Sequence, residues 1–465
     1  MSTEVVKKKR SKIAVKSHHL PVYERIENFK EVNLGYVDEQ EIRDEADRCV
    51  RCRKPKCMEA CPGGFDIYSM LTNVQDGNLS AAADIVNTFY CIPSSFNRIC
   101  PAFCMDSCAV GKKGDPINIL NIKRYLADHF DKPQEFYEKQ STTGSRVAII
   151  GSGPAGITAA YELAKLGHKV TVYEKNEILG GMLAVGIPEY RLNNNLLLSE
   201  IHDLENLGID FITGQGLGSE FELHDLFDQG YKAVLIAIGA HKPKFMKIPG
   251  EDLDGNIHAI DFLREVALGN RPKIGKNVMV IGGGDVAIDA VRVATRLGSK
   301  AFIVYRRSRE EMPATKDEIE ETENEGIEIK YLTNPVRIIG FKDKVAKVQL
   351  IKMELGEPDE SGRRRPVPIE NSEYFMDVDT VIQAISQEPD SEEFLDDGFK
   401  LSKWKTFEVE DSLKTNVYGV FAAGDDVSGP KTAIEAIAQG KQAAKSIHQY
   451  LEEISPSEEE FIVQN

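Results

Sequence analysis

Apolar residues change rhythm partway along the chain. Before about residue 140 they recur at helical spacing, which predicts helices over 39–48, 79–87 and 117–130. Residues 131–145 are polar and read as a linker. Beyond it, short apolar runs alternate with helical ones, the pattern of βαβ units on a parallel sheet. One unit is predicted as strand 146–150, helix 155–166 and strand 169–173. Another follows as strand 277–281, a helix reaching 297 and strand 301–304. Late in the chain, an apolar run from Val417 enters Gly424-Asp425, with a helix from about Thr432.

Glycines mark both strand-to-helix turns. The first turn carries Gly151, Gly153 and Gly156, and its second strand ends at Glu174. Glycine there allows a tight turn and lets backbone N–H groups reach a pyrophosphate, while an acid at the second strand end accepts from a ribose diol. The second turn carries Gly282, Gly284 and Asp285, with Ala287 replacing the third glycine. The position matching Glu174 is Tyr305, followed by Arg306, Arg307 and Arg309. Guanidinium groups favour a 2′-phosphate, hence NADP over NAD; a solvated basic turn is the alternative. Of two nucleotide units, one is expected to take the substrate pyridine nucleotide and the other a resident flavin. Asp425 would then hold ribityl hydroxyls, or merely cap a helix.

All eight cysteines lie between Cys49 and Cys108. The first group is Cys49, Cys52, Cys57 and Cys61, ending in Cys-Pro; the second is Cys91, Cys100, Cys104 and Cys108. Eight clustered thiols without a signal segment suit two four-iron clusters, or two structural zinc sites. The 57 basic against 74 acidic residues give a net charge of −17, which argues against nucleic acid and anionic membranes as partners. No apolar run reaches membrane length, and the beginning is not a secretory signal, so a cytoplasmic, unanchored protein is expected. Lys7, Lys8, Lys9 and Arg10 read as a frayed tail or docking tag, and the acidic end from Glu452 as disordered. The histidines, among them His168, His202, His224 and His258, lie apart, and no triad or other catalytic residue is expected.

The ordered motifs resemble the small (beta) subunit of glutamate synthase. Related proteins are the large subunit of NADH-dependent ferredoxin:NADP oxidoreductase and the N-terminal part of dihydropyrimidine dehydrogenase. Besides both Cys groups, the matching segments are EVNLGY (31–36), DPINI (115–119), GSGPAG (151–156), LGGML (179–183), GIPEYRL (186–192), GGGDVAID (282–289), YRRSREEMPA (305–314) and VFAAGD (420–425).

The resemblance implies an α/β fold with two Rossmann-like nucleotide-binding domains of the thioredoxin-reductase type. A helical domain carrying two [4Fe-4S] clusters would precede them. Expected boundaries are 1–140 for the iron–sulfur domain, 141–250 and 388–465 for a split FAD domain, and 251–387 for an inserted NADP domain. Crossed ligation is implied: Cys49, Cys52 and Cys57 with Cys108 on one cluster, and Cys61, Cys100 and Cys104 on the other. Relatives supply a Glu or Gln as the remaining ligand, where this chain has Lys123; Cys91 is the expected substitute. Gly180, Gly181 and Met182 are expected beneath the flavin, with Arg191 and Thr432 also at the cofactors.

The implied activity is hydride transfer from NADPH to FAD, then single electrons through the clusters to a large subunit that makes glutamate from glutamine and 2-oxoglutarate. With no amidotransferase segment led by a Cys, glutamine hydrolysis is expected in that partner, making a hetero-oligomer. Alternatives are the ferredoxin:NADP oxidoreductase large subunit, or a zinc-stabilised, non-catalytic interaction protein.

Overall fold

The computed structural model describes residues 10–394 and 397–454. Lys7, Lys8, Lys9 and the acidic stretch after Ile454 lie outside them.

The N-terminal part is helical: α1 (Glu39–Asp47), α2 (Ile67–Asp76), α3 (Leu79–Phe89), α4 (Pro93–Ile99) and α5 (Ile119–His129). Side chains of Asp38, Asp66 and Asn118 accept the first free N–H groups of α1, α2 and α5, which fixes those starts. Their apolar stripes, including Ile42, Met70, Val86 and Ile122, bury into one core shared with the domain that follows.

The expected linker is partly structured. Gln134–Tyr137 is helical, and Phe136 is fully buried with its ring 4.9 Å from that of Tyr161. Tyr137 Oη donates to Asp203 at 2.6 Å, and Lys132 pairs with the same carboxylate at 2.7 Å. Polar composition hid this because one buried aromatic suffices to pin so short a segment.

Next come β1 (Arg146–Ile150), α6 (Pro154–Lys165), β2 (Lys169–Glu174), β3 (Ile209–Thr213) and β4 (Ala233–Ile236). A second unit holds β5 (Asn256–His258), β6 (Asn277–Ile281), α7 (Asp285–Arg296), β7 (Lys300–Val304), α8 (Lys316–Asn324) and β8 (Glu328–Lys330). An antiparallel meander follows, β9 (Thr333–Phe341), β10 (Lys344–Pro358), β11 (Arg364–Pro368) and β12 (Tyr374–Asp377). The chain then forms β13 (Thr380–Gln383), β14 (Val420–Ala422) and α9 (Ala433–Glu453).

Both five-stranded sheets are parallel, ordered β14-β4-β1-β2-β3 and β8-β7-β6-β13-β5. All four residues of β4 are buried, as expected of a strand covered on both faces. The first sheet takes its last strand from beyond the second unit, so the second unit interrupts the first. The two connecting segments pair antiparallel, Lys242–Pro243 against Gln387–Glu388. The meander was absent from the sequence expectations.

Candidate functional site

A cavity of about 800 Å³ opens between the two nucleotide units and is lined from both. Gly151 sits at φ +107°, and a Cβ there would lie 2.3 Å from the Ala237 carbonyl oxygen. At Gly156 a Cβ would lie 2.0 Å from Gly151 O, so α6 approaches β1 closely only without a side chain. Gly153 faces open space and lines the cavity, leaving backbone free to meet a ligand. Gly181 packs on Gly153, and Met182 opens a short helix, Met182–Val185, against the cavity. Gly180 is held by its N–H to Ser152 Oγ, 3.0 Å.

Glu174 also lines the cavity. Its carboxylate accepts from Ser152 N (3.0 Å) and Oγ (2.6 Å), and from Asn176 N (2.9 Å) and Nδ2 (2.6 Å). On the far wall, Gly424, Asp425 and Thr432 contribute. Asp425 accepts from Lys431 N at 3.1 Å, and burial raises its carboxyl to about 7. Thr432 and Glu435 form a capping box, turning the start of the 21-residue α9 toward the cavity. Asp426, which the sequence did not single out, accepts from Ile238 N at 2.9 Å and ties β14 to the loop after β4.

The second glycine turn is built likewise. A Cβ at Gly282 would meet Ala384 O at 2.3 Å, and one at Gly283 the Tyr305 ring at 2.5 Å, while Gly284 has only Pro313 at 3.7 Å. Ala287 is fully buried beneath the turn. Asp285, the first residue of α7, faces the cavity beside Asp289 and Arg191. Arg191 pairs with Asp289 (2.6 Å) and Glu318 (2.7 Å), so it staples the two units together. Burial, then the Glu318 charge, push the Asp285 carboxyl up to about 7.

The arginine cluster does not act as a set. Arg307 is buried, paired with Asp359 at 2.5 Å and donating to Arg364 O at 2.8 Å, so it anchors the meander. Arg309 pairs with Glu323 at 3.2 Å. Arg306 alone of the three is exposed without an ion pair among the described residues, and none of them lines the cavity. Arg307, expected with Arg306 to bind NADPH, has its charge taken up by Asp359 in this structure.

Seven cysteines gather in two neighbouring sets. Cys49 feels the charge of Cys108 and Cys52, and Cys57 that of Cys108 and Cys49, while Cys104 feels Cys100 and Cys61 and, across to the first set, Cys57. Burial pushes the Cys57 thiol up to about 11 and Cys104 to about 12. Both sets stand on chain turns: Cys49 follows α1, Cys57 lies on the short helix Lys56–Glu59, and Cys104 on Phe103–Asp106.

Cys91 stands apart, which corrects the expectation that it completes the second set. Its fully buried thiol meets Thr158 Oγ1 of α6 at 3.7 Å, and the charges around it are Lys441, Glu162 and Glu200. The place beside Cys100 belongs to Lys123, whose Nζ lies 4.0 Å from that sulfur and 3.2 Å from Tyr90 Oη. Burial opposes its charge, but Cys100, Tyr90 and Cys104 outweigh burial and hold the ammonium charged. Among the described residues no group of three or more His, Cys, Asp or Glu side chains is close enough to hold a single metal ion.

The second set adjoins the cavity. Ile99 and Pro101, flanking Cys100, both line it. A Cβ at Gly63, two residues past Cys61, would meet Ile434 of α9 at 3.0 Å.

Residues 145–440 match the family model for pyridine nucleotide-disulphide oxidoreductases. The chain belongs to that family. Residues 25–135 match the model for dihydropyrimidine dehydrogenase domain II, 4Fe-4S cluster. Among similar proteins, the NADP(+)-dependent formate dehydrogenase subunit beta of Moorella thermoacetica is 39% identical over 85% of this chain and 60% of its own length. The glutamate synthase (NADPH) small chain of Azospirillum brasilense is 32% identical, covering 92% of this chain and 93% of its own. Mycobacterium tuberculosis FprA in complex with NADPH shares the fold, with TM-score 0.56 and 20% identity over 69% of this chain and 89% of that one. The chain thus spans only 60% of the formate dehydrogenase subunit.

The resemblance and fold class expected from the sequence are borne out. As a member of this family the protein is a pyridine-nucleotide-dependent flavin oxidoreductase with a 4Fe-4S domain. No helix among the described residues is long and apolar enough to cross a membrane. Two features of the oxidoreductase went unread in the sequence. His241 lines the cavity, its Nδ1 3.3 Å from the Arg264 guanidinium, and burial, then Arg264, pull its pKa down. His168, in the turn between α6 and β2, and His448 of α9, 280 positions apart, meet at 2.9 Å. Only the apolar run before His241 hinted at the former, and nothing local could reveal the latter.

Proposed function

We propose that this chain is the NADPH-oxidising electron-input subunit of a glutamate synthase-type assembly, working in the cytoplasm. The observation that carries this reading is spatial: the second cysteine set borders the cavity between the nucleotide units, with the first set beside it. Bound FAD would supply acceptance of a hydride from NADPH and release of single electrons, and 4Fe-4S clusters would supply single-electron transfer.

The division into residues 1–140, 141–250 with 388–465, and 251–387 suits this assignment, with Lys242–Pro243 and Gln387–Glu388 at the crossings. Gly151, Gly153, Glu174, Gly181, Met182, Asp425 and Thr432 would hold FAD, with Gly156 and Gly180 as packing supports. The start of α9 presents N–H groups that favour negative charge across the cavity. Gly282, Gly284, Asp285 and Ala287 would receive NADPH, and Arg191 fixes the distance between the two units by holding Asp289 and Glu318. Exposed Arg306, with no acid at Tyr305, supports NADP over NAD.

Cys49, Cys52, Cys57 and Cys108 would hold one cluster, and Cys61, Cys100 and Cys104 the other. Lys123 stands where a fourth protein ligand would be, its ammonium offsetting thiolate charge. No side chain need act as nucleophile or general acid. The test is to mix the anaerobically prepared chain with a glutamate synthase large subunit and follow NADPH oxidation. Oxidation that requires both glutamine and 2-oxoglutarate supports the reading; its absence with an active large subunit refutes it.

A further inference from the structure

The rim of the first cysteine set is crowded with unpaired cations. Arg53, Lys54 and Lys56 lie between Cys52 and Cys57, and Lys112 and Lys113 follow Cys108 closely. All five are exposed and none forms an ion pair among the described residues, whereas Arg51 is occupied by Asp76 at 2.5 Å and by Gln75. The two stretches are neighbours in space: the short helices Lys56–Glu59 and Phe103–Asp106 pack together, and Cys57 feels the Cys108 charge.

Only Glu59 and Asp106 are exposed acids on those helices; Asp115, beyond Lys113, is occupied by the Ala14 N–H at 3.0 Å. That bond and Asp115 N to Lys12 O (2.8 Å) hold Ile13, 70% exposed, beside the Lys112–Lys113 turn. Val50, 46% exposed, follows Cys49 directly. A basic patch with apolar fringes therefore borders the four thiols, with exposed Asp47 before Cys49 as a further acid at its edge, on a chain whose net charge is −17. Like charges held together repel, and a complementary anionic surface relieves that cost and steers encounter.

We propose that this face docks an acidic single-electron carrier protein, bringing it against the first cysteine set. This rests on the proposed electron-input reading. The balance is one NADPH oxidised to NADP+ and a proton, with two carrier molecules each reduced by one electron. A membrane or nucleic acid fits less well, because the strongly negative chain repels extended polyanions and neither accepts electrons.

The test uses the full, anaerobically prepared chain with an acidic plant-type ferredoxin as probe and basic cytochrome c as control. Binding is measured directly by thermophoresis, separately from turnover with benzoquinone, a small neutral acceptor. Ferredoxin binding should weaken about tenfold between about 50 and about 300 mM salt. Lys112→Glu/Lys113→Glu, outside the ligand spacing, and Arg53→Glu/Lys54→Glu should each weaken it about tenfold or more at low salt, with iron content and benzoquinone reduction retained. Cytochrome c should show no such loss. Ferredoxin binding that is absent, or equal in wild type and both variants, overturns the proposal. So does binding of the wild type, but not the variants, to anionic lipid vesicles without any to ferredoxin. Salt- and variant-sensitive ferredoxin binding with no NADPH oxidation by any acceptor supports the surface and refutes the electron-input reading.

Discussion

Asp285→Asn isolates the electrostatics of the pyridine-nucleotide turn. Asp285, Asp289 and Glu318 converge on a single close guanidinium, Arg191, with Arg292 also near Asp289. The Asp285 carboxyl rises from its ordinary 3.8 to about 7, through burial first and Glu318 next, while Glu318 is held below its ordinary value. At about 1.4 kcal/mol per pH unit, the rise sets a ceiling of about 4 kcal/mol. Glu318 moves the opposite way and returns part of this, so a net effect of about 1–3 kcal/mol is expected.

The sign follows from proton counting. Between pH 3.8 and about 7 the folded chain keeps a proton on Asp285 that the unfolded chain has lost. Stability from this group is therefore full at low pH and drains away as pH rises through about 7. Asparagine removes that drain. Thermal unfolding of the variant should exceed wild type at pH 8 by about 2–4 °C per kcal/mol, with the gap shrinking toward pH 5.5. NADPH, whose pyrophosphate is anionic, should also bind the variant more tightly at pH 8 than at pH 6 relative to wild type. An equal difference at both pH values, in melting and in affinity, would refute the reasoning.

Five further substitutions test other parts. Cys91→Ala should leave iron and sulfide content unchanged, while Cys104→Ala should remove about four irons per chain by elemental analysis. Arg306→Ala should raise the KM for NADPH about tenfold or more with little effect on NADH; Arg307→Ala should instead lower the melting temperature, since it strands Asp359. Glu325→Gln leaves the buried Arg296 guanidinium without its carboxylate (2.8 Å) and Arg292, paired with Glu325 at 2.7 Å, with only Glu321 at 3.1 Å, and should destabilise the chain by about 3–5 kcal/mol in denaturant titration.

What was legible in the sequence was local. A strand, a glycine turn and a helix are consecutive, so Gly151 to Gly156 and Gly282 to Ala287 announce themselves, as do cysteines closely spaced on one short stretch. Pairing between distant segments was not legible. Arg307 reads as a phosphate ligand until Asp359, on a meander with no motif of its own, is seen to take its charge. Cys91 reads as a cluster ligand by proximity in sequence, yet the end of α3 carries it to α6, where Thr158 meets it. Phe136 sits in a polar stretch whose composition says linker, and a single buried ring overrides that. The Asp285 cluster needs Glu318 and Arg191, brought from opposite sides of the crossing.

The most direct test of the whole account is an anaerobic NADPH titration of the reconstituted chain, followed by its visible spectrum with flavin, iron and sulfide analysis of the same sample. One FAD, about eight irons and eight sulfides per chain are expected, with the yellow-brown absorbance bleached by NADPH. A colourless zinc protein, or a spectrum that NADPH leaves unchanged, would contradict it.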